Sequence, residues 1–402
     1  MASQLASQFS WVLFGRVLAA AIQAGLVIVL ARALGPTEFG ILSAVLGVTI
    51  VLQAVADLGL AKMILRERAD GSLPQLVAGG LWLNSVSTRI LGGIVGIGLL
   101  LLGLIVNSVY LLMIPLAISV AGEKNADTWL GIALADGDAK LNTINLVSRR
   151  AASLLLFIVI SKLGLNPMLA YSVSVAAAAV GSVLFAKSVV GDALRGERTP
   201  LKTTLKVARP YWANTLSSQL RNLDVAIVGS VAAANTAGFY ATAARLSGPL
   251  RMLPTSLGVV LLPRAAQVKG GSIKPIVKIL AVTGPLFAFM YLALAFVVPW
   301  LVELALGGEY EPVVLPLQIV LFGLVFAAIS SLVQPVLQGV GLQKSVAFVS
   351  VVTTFYILVC MALLTAWNGE VGAAIALASG FVIESLGLLV VTMFQLPRRK
   401  YY

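Results

Sequence analysis

The 402-residue chain is 59% hydrophobic and 11% charged, has a net charge of +12, and contains no histidine and one cysteine, Cys360. Soluble proteins carry about 25% charge, so the composition excludes a soluble catalytic domain and points to an integral membrane protein. The missing histidine excludes Ser-His-Asp catalysis and His-ligated metal, and the single cysteine excludes an internal disulfide or a CxxC metal site.

In chain order, apolar runs predict membrane-spanning helices over 10–31, 37–60, 77–105, 108–135, 143–163, 167–188, 208–230, 237–262, 275–299, 313–337, 344–366 and 371–395. Each meets the length of about 20 residues that crosses a bilayer with its backbone satisfied. Ala31-Arg32-Ala33 imitates a signal-peptidase site. The preceding run is too long for a signal core and the first ten residues lack positive charge, so the segment reads as a retained helix.

Basic residues alternate between the gaps. Lys62, Arg66 and Arg68, then Lys140, Lys202 and Lys206, Lys269 and Lys274, Lys344 and the tail Arg398-Arg399-Lys400 fall at every second connection. The connections between hold only Arg32 and Lys162. Cytoplasmic loops collect Lys and Arg, so both termini are expected in the cytoplasm. The net positive charge then fits loops against an anionic leaflet, and no nucleic-acid partner is expected.

The charge-, Gly- and Pro-rich stretch 189–207 falls at the midpoint. It divides the chain into a six-helix lobe at 1–188, a cytoplasmic linker and a second six-helix lobe at 208–402. The halves look alike. Gly35-Pro36-Thr37-Glu38-Phe39-Gly40 matches Ala234-Asn235-Thr236-Ala237-Gly238-Phe239-Tyr240, and Gly137-Asp138-Ala139-Lys140 matches Gly341-Leu342-Gln343-Lys344. Six helices return the chain to its starting side, so these are parallel repeats, which in transporters enclose the substrate path. The expected fold is all-α, about twelve transmembrane helices in two lobes around a central cavity.

Arg149 and Arg150 sit near helix ends and can snorkel out. Arg16, Arg89, Lys124, Arg221, Arg245 and Arg251 lie deeper, as do the acids Asp57, Glu123, Asp127, Asp224 and Glu384. Charges at such depth are costly unless paired or hydrated. Arg16, Arg89, Arg221 and Arg245, with Lys124, are the candidate substrate contacts, because guanidinium groups suit phosphate. Arg221 and Asp224 are three apart on one face and either neutralise each other or serve the site. Glu123 and Asp127 share a face with Lys124 in reach of Asp127. Close carboxylates raise one another's pKa, which suits a protonation switch or a cation site, and a plain polar helix half is the alternative. Glu123, Asp127 and Asp224 are therefore the candidate ion-coupling groups. Pro249, Pro254, Pro285 and Pro335 mark expected bends.

Ala31-Arg32-Ala33-Leu34-Gly35-Pro36-Thr37-Glu38-Phe39-Gly40 and Ala56-Asp57-Leu58-Gly59-Leu60 resemble the opening of Wzx-type polysaccharide flippases, within the multidrug/oligosaccharidyl-lipid/polysaccharide (MOP) exporter superfamily. Leu223-Asp224-Val225-Ala226-Ile227-Val228-Gly229, Ala237-Gly238-Phe239-Tyr240-Ala241, Arg245-Leu246 and Leu262-Pro263-Arg264 are similar too. The resemblance implies a V-shaped fold of two lobes and alternating-access transfer of undecaprenyl-diphosphate-linked oligosaccharides across a bacterial inner membrane. Expected partners are that lipid-linked substrate, membrane lipids and polysaccharide polymerase or export machinery. No cofactor, catalytic residue or metal site is expected, and the acids leave room for coupling to a proton or sodium gradient. The rival readings are a cation-coupled drug or metabolite exporter of the same fold and a membrane-embedded polysaccharide polymerase or ligase.

Overall fold

The computed structural model describes residues 2–70, 74–190, 197–267, 274–339 and 342–395, with side chains undescribed at 2–13, 16, 69–70, 210, 213–214, 217–218, 259–267, 274–280 and 339. The described residues form twelve α-helices and no strand: α1 (Ala2–Asp57), α2 (Leu60–Asp70), α3 (Pro74–Ile105), α4 (Leu116–Ala135), α5 (Ala139–Lys162), α6 (Pro167–Val190), α7 (Leu201–Gln219), α8 (Asp224–Val231), α9 (Ala234–Gln267), α10 (Lys274–Leu306), α11 (Val314–Gly339) and α12 (Gln343–Gln395). Short 3-10 turns cover Ser108–Met113, Leu220–Leu223 and Gly308–Val313.

The expected spans map onto these with instructive differences. Helices one and two form the single run α1, kinked where Gly35 adopts φ 69° and ψ 169°. Helices eleven and twelve join as α12 through Asn368 and Gly369, whose φ of 53° suits a residue without Cβ. Helix four starts at Leu116 rather than 108, because 108–113 is a 3-10 turn capped by Asn107. Helix seven is not continuous: α7 gives way to α8 through Leu220–Leu223, with no proline or glycine to announce the break. Helix eight runs on as α9 through Pro249 and Pro254.

Seven described helices carry stretches long and apolar enough to cross a membrane, α1 and α12 at double length. α4 is not among them because Glu123, Lys124 and Asp127 interrupt its twenty residues. The protein is a multi-pass membrane protein.

By packing, the chain clusters into two compact units, Met1–Leu34 with Val45–Asn222, and Gly35–Ala44 with Leu223–Tyr402. The units part within expected helix seven, and the 189–207 stretch lies inside the first, with 191–196 outside the described residues.

In the first unit a corner follows Asp57. Leu58 (φ 51°) and Gly59 (φ 78°) are both left-handed. A Cβ on Gly59 would collide with the Ala208 carbonyl and lie 2.5 Å from the Trp212 amide, so this position admits α7 only as glycine. Past the corner, α2 buries Leu60, Met63 and Ile64, spaced i, i+3, i+4, against Leu76, Leu81, Trp129 and Leu130. Each such side chain contributes about 1.5–3 kcal/mol. In the second unit, Gly40 and Gly238 pack backbone to backbone: a Cβ on Gly238 would strike the Pro36 carbonyl, and one on Gly40 the Ala234 carbonyl. The two turns that match as sequence repeats thus rest on each other.

Candidate functional site

The first unit holds an ionic network built on α4, buried at Asp57 and Arg149 and open to the surface at Asp127. Lys124 Nζ lies 2.7 Å from Asp57 Oδ1, and Asp57 is 1% exposed. Lys124 therefore reaches back to the corner of α1 rather than to Asp127, as expected from α4 alone. Glu123 and Asp127 do share a face, and both meet Arg149 of α5. Arg149 Nη1 donates to Asp127 Oδ1 at 2.9 Å, and its Nε lies 3.6 Å from Glu123 Oε1. Arg150 Nη1 reaches the same Glu123 oxygen at 3.6 Å. Arg149 is buried. It does not snorkel out, because the carboxylates of the half-buried Glu123 and the exposed Asp127 hold it against α4. At the far end of α4, Arg68 grips Asp136 bidentately at 2.7 and 2.9 Å, on the exposed surface.

Beside this network lies a cavity of about 400 Å³ between α3, α4 and α6. Arg89 and Lys187 are its cations, and no acidic residue lines it. Neither cation has an ion pair among the described residues. Its floor is small: Gly92, Ala117, Ala121 and Gly122. Asn125 lines it too, held by Asn84 Nδ2 at 3.1 Å, with Thr128 donating to Asn84 Oδ1 at 3.2 Å. Arg89 lies near the midpoint of α3, about 23 Å from either end.

In the second unit Asp224 opens α8. Its Oδ1 accepts from the Val225 amide at 2.7 Å and its Oδ2 from the Tyr240 hydroxyl at 3.0 Å. The positive charges of Arg245 and Arg251 act on it. Arg245 Nε donates to the Ser43 hydroxyl at 3.0 Å and its Nη2 to the Ser43 carbonyl at 3.1 Å. Arg251 stacks over Phe381 at 4.8 Å. Arg221 sits half-buried on the 3-10 turn between α7 and α8. Arg16 falls on α1 with its side chain outside the described residues.

Of the candidates, then, Glu123 and Asp127 are brought together by Arg149, Asp224 sits with Arg245, and Arg89 opens on a cavity. Sequence reasoning missed Arg149, Tyr240 and Lys187 as partners. Lys187 carried a signal, being a lone cation on the apolar helix α6.

The sequence profile of the polysaccharide biosynthesis protein family matches residues 5–269. The chain belongs to this family. No curated protein matches the sequence. Among solved structures, this family member resembles an inward-facing multidrug resistance MATE transporter of the MOP superfamily, with a TM-score of 0.73 at 16% identity over 96% of both chains. It also resembles the lipid II flippase MurJ in an inward closed conformation, with a TM-score of 0.67 at 14% identity over 96% of this chain and 87% of that one. A MOP transporter from Pyrococcus furiosus aligns with a TM-score of 0.66 at 14% identity over 97% and 95% of the two chains. The polysaccharide biosynthesis family member therefore has the MOP transporter fold.

Proposed function

We propose that the protein is a flippase that moves undecaprenyl-diphosphate-linked oligosaccharide repeat units across a bacterial inner membrane by alternating access, with both termini in the cytoplasm. Membership of a polysaccharide biosynthesis family and a fold shared with transporters and a lipid II flippase support the broader class. The observation that carries the substrate is the imbalance of charge among the helices of the first unit. In the first unit Asp57, Glu123 and Asp127 are each held by a cation, whereas Arg89 and Lys187 line a cavity with no acid in it. Such a surplus suits a lipid-borne diphosphate and repels the small organic cations of a drug exporter. The membrane acids Glu123, Asp127 and Asp224 are the groups we propose for coupling to a proton or sodium gradient, and Arg16, Arg221 and Arg245 for further contacts with the diphosphate or an acidic sugar. Six-helix lobes at 1–188 and 208–402 joined by 189–207 complete the reading, with polymerase or export machinery as partner.

The test is translocation of a fluorescent undecaprenyl-diphosphate oligosaccharide by the wild-type protein in proteoliposomes, alongside a fluorescent small cation. Movement of the lipid and not of the cation is the expected result. Export of the cation alone would replace the flippase with a drug exporter.

A further inference from the structure

The α3–α4–α6 cavity has features that the flippase reading alone does not require. Its walls include exposed apolar side chains: Ile118 of α4, and Val180 and Leu184 of α6. A surface of that composition in a membrane protein faces hydrocarbon, where an unpartnered guanidinium is unfavourable. Arg89, at the middle of α3, nevertheless stands there, with Lys187 from the last turn of α6 lining the same cavity and no acid among the lining residues. Asn125, 7% exposed, points the same way: its amide oxygen accepts from Asn84 and Ser85, and its Nδ2 donates to no described residue. Three donor groups thus converge from three helices on a site that opens sideways.

The dimensions narrow the ligand. A volume of about 400 Å³ lies at the lower end for ligand sites. Its floor of Gly92, Ala117, Ala121 and Gly122 is close-packed, a Cβ on Gly92 falling 3.1 Å from Ala121 Cβ and one on Gly122 3.0 Å from Ala179 Cβ, so the small volume above it suits one flexible chain rather than a paired acyl tail. Two cations match the charge of a diphosphate better than that of a single phosphodiester. We propose that this cavity is a lateral subsite for a single-chain lipid diphosphate. The phosphates sit on Arg89, Lys187 and Asn125, and the chain leaves over the small floor past Ile118 and Leu184 into the bilayer. The proposal rests on the flippase reading and adds to it a loading position within the first packing unit, entered from the membrane.

The test is binding of farnesyl diphosphate, a short single-chain probe, to the purified full-length protein in detergent. Arg89→Gln and Lys187→Gln are each expected to weaken it at least tenfold, and Arg89→Lys much less. Ile118→Trp keeps both cations and narrows the opening from an exposed position, so it is expected to weaken binding without disturbing the fold. Phosphatidylglycerol and inorganic diphosphate are expected to compete poorly. Unchanged affinity in the glutamine variants would overturn the subsite, as would displacement by phosphatidylglycerol at concentrations equal to the probe. If those variants bind normally while the wild type translocates lipid-linked oligosaccharide, the subsite falls and the flippase stands. If the wild type binds the probe through Arg89 and Lys187 yet moves no lipid, the diphosphate site stands and the flippase falls.

Discussion

Arg245 of α9 holds Ser43 of α1 by both its hydroxyl and its backbone carbonyl, at 3.0 and 3.1 Å. The two helices come this close because Gly40 and Gly238 carry no Cβ where the turns before them meet. The glycine pair sets the approach and the guanidinium fastens it. Arg245→Ala is expected to lower stability by about 1.5–3 kcal/mol, the range for hydrogen bonds to a charged group. Thermal unfolding of the purified protein measures this, and Arg245→Lys, which lacks the planar fork, is expected to recover less than half.

Gly238→Ala tests the approach itself. The new methyl would strike the Pro36 carbonyl, and neither backbone can yield cheaply. A loss of about 1–3 kcal/mol is expected from overpacking. Stability equal to the wild type would mean that the turns separate freely.

The two ion pairs that link the Asp57 corner and α2 to α4 should differ sharply. Lys124–Asp57 is buried and Arg68–Asp136 is exposed on both sides. Lys124→Met leaves a buried carboxylate alone and is expected to cost about 3–5 kcal/mol, with much of it recovered by adding Asp57→Asn. Asp136→Ala is expected to cost about 0–1 kcal/mol and to lose even that at high salt. A double-mutant cycle on each pair reads the contrast.

Arg149 makes a different prediction for the carboxylates. Glu123→Gln and Asp127→Asn each leave it one acid and should be tolerated. The double variant strands a buried guanidinium and should fail to fold or lose several kcal/mol. If the pair also couples transport to an ion gradient, either single variant should uncouple it: flux in proteoliposomes would no longer respond to an imposed pH or sodium gradient. A gradient response equal to the wild type in both would confine the two acids to holding Arg149.

The apolar runs were legible because a spanning helix leaves a long, one-dimensional trace. Interruptions without a compositional marker left none. Nothing in Leu220-Arg221-Asn222-Leu223 differs from a polar helical turn, yet the chain changes there from α7 to α8. Partnerships between helices were equally hidden. Lys124 is close in sequence to Asp127 and 67 residues from Asp57, but the corner at Leu58–Gly59 presents Asp57 to α4. Arg149 looked like a helix-end cation because depth along one helix says nothing of which neighbours face it. The repeat match, by contrast, did carry three-dimensional meaning. The two matched segments meet through Gly40 and Gly238.

The corner at Leu58–Gly59 also sets a length. From Pro36 to Asp57 the second arm of α1 runs about 22 residues, or about 33 Å, close to the roughly 30 Å thickness of a bilayer's hydrocarbon core. Had the helix continued straight through α2 to Asp70, it would have stood some 20 Å proud of that core. The turn therefore works as a gauge. Shortening or lengthening the arm by one helical turn would change its hydrophobic reach by about 5 Å, enough to tune the protein to a thinner or thicker membrane.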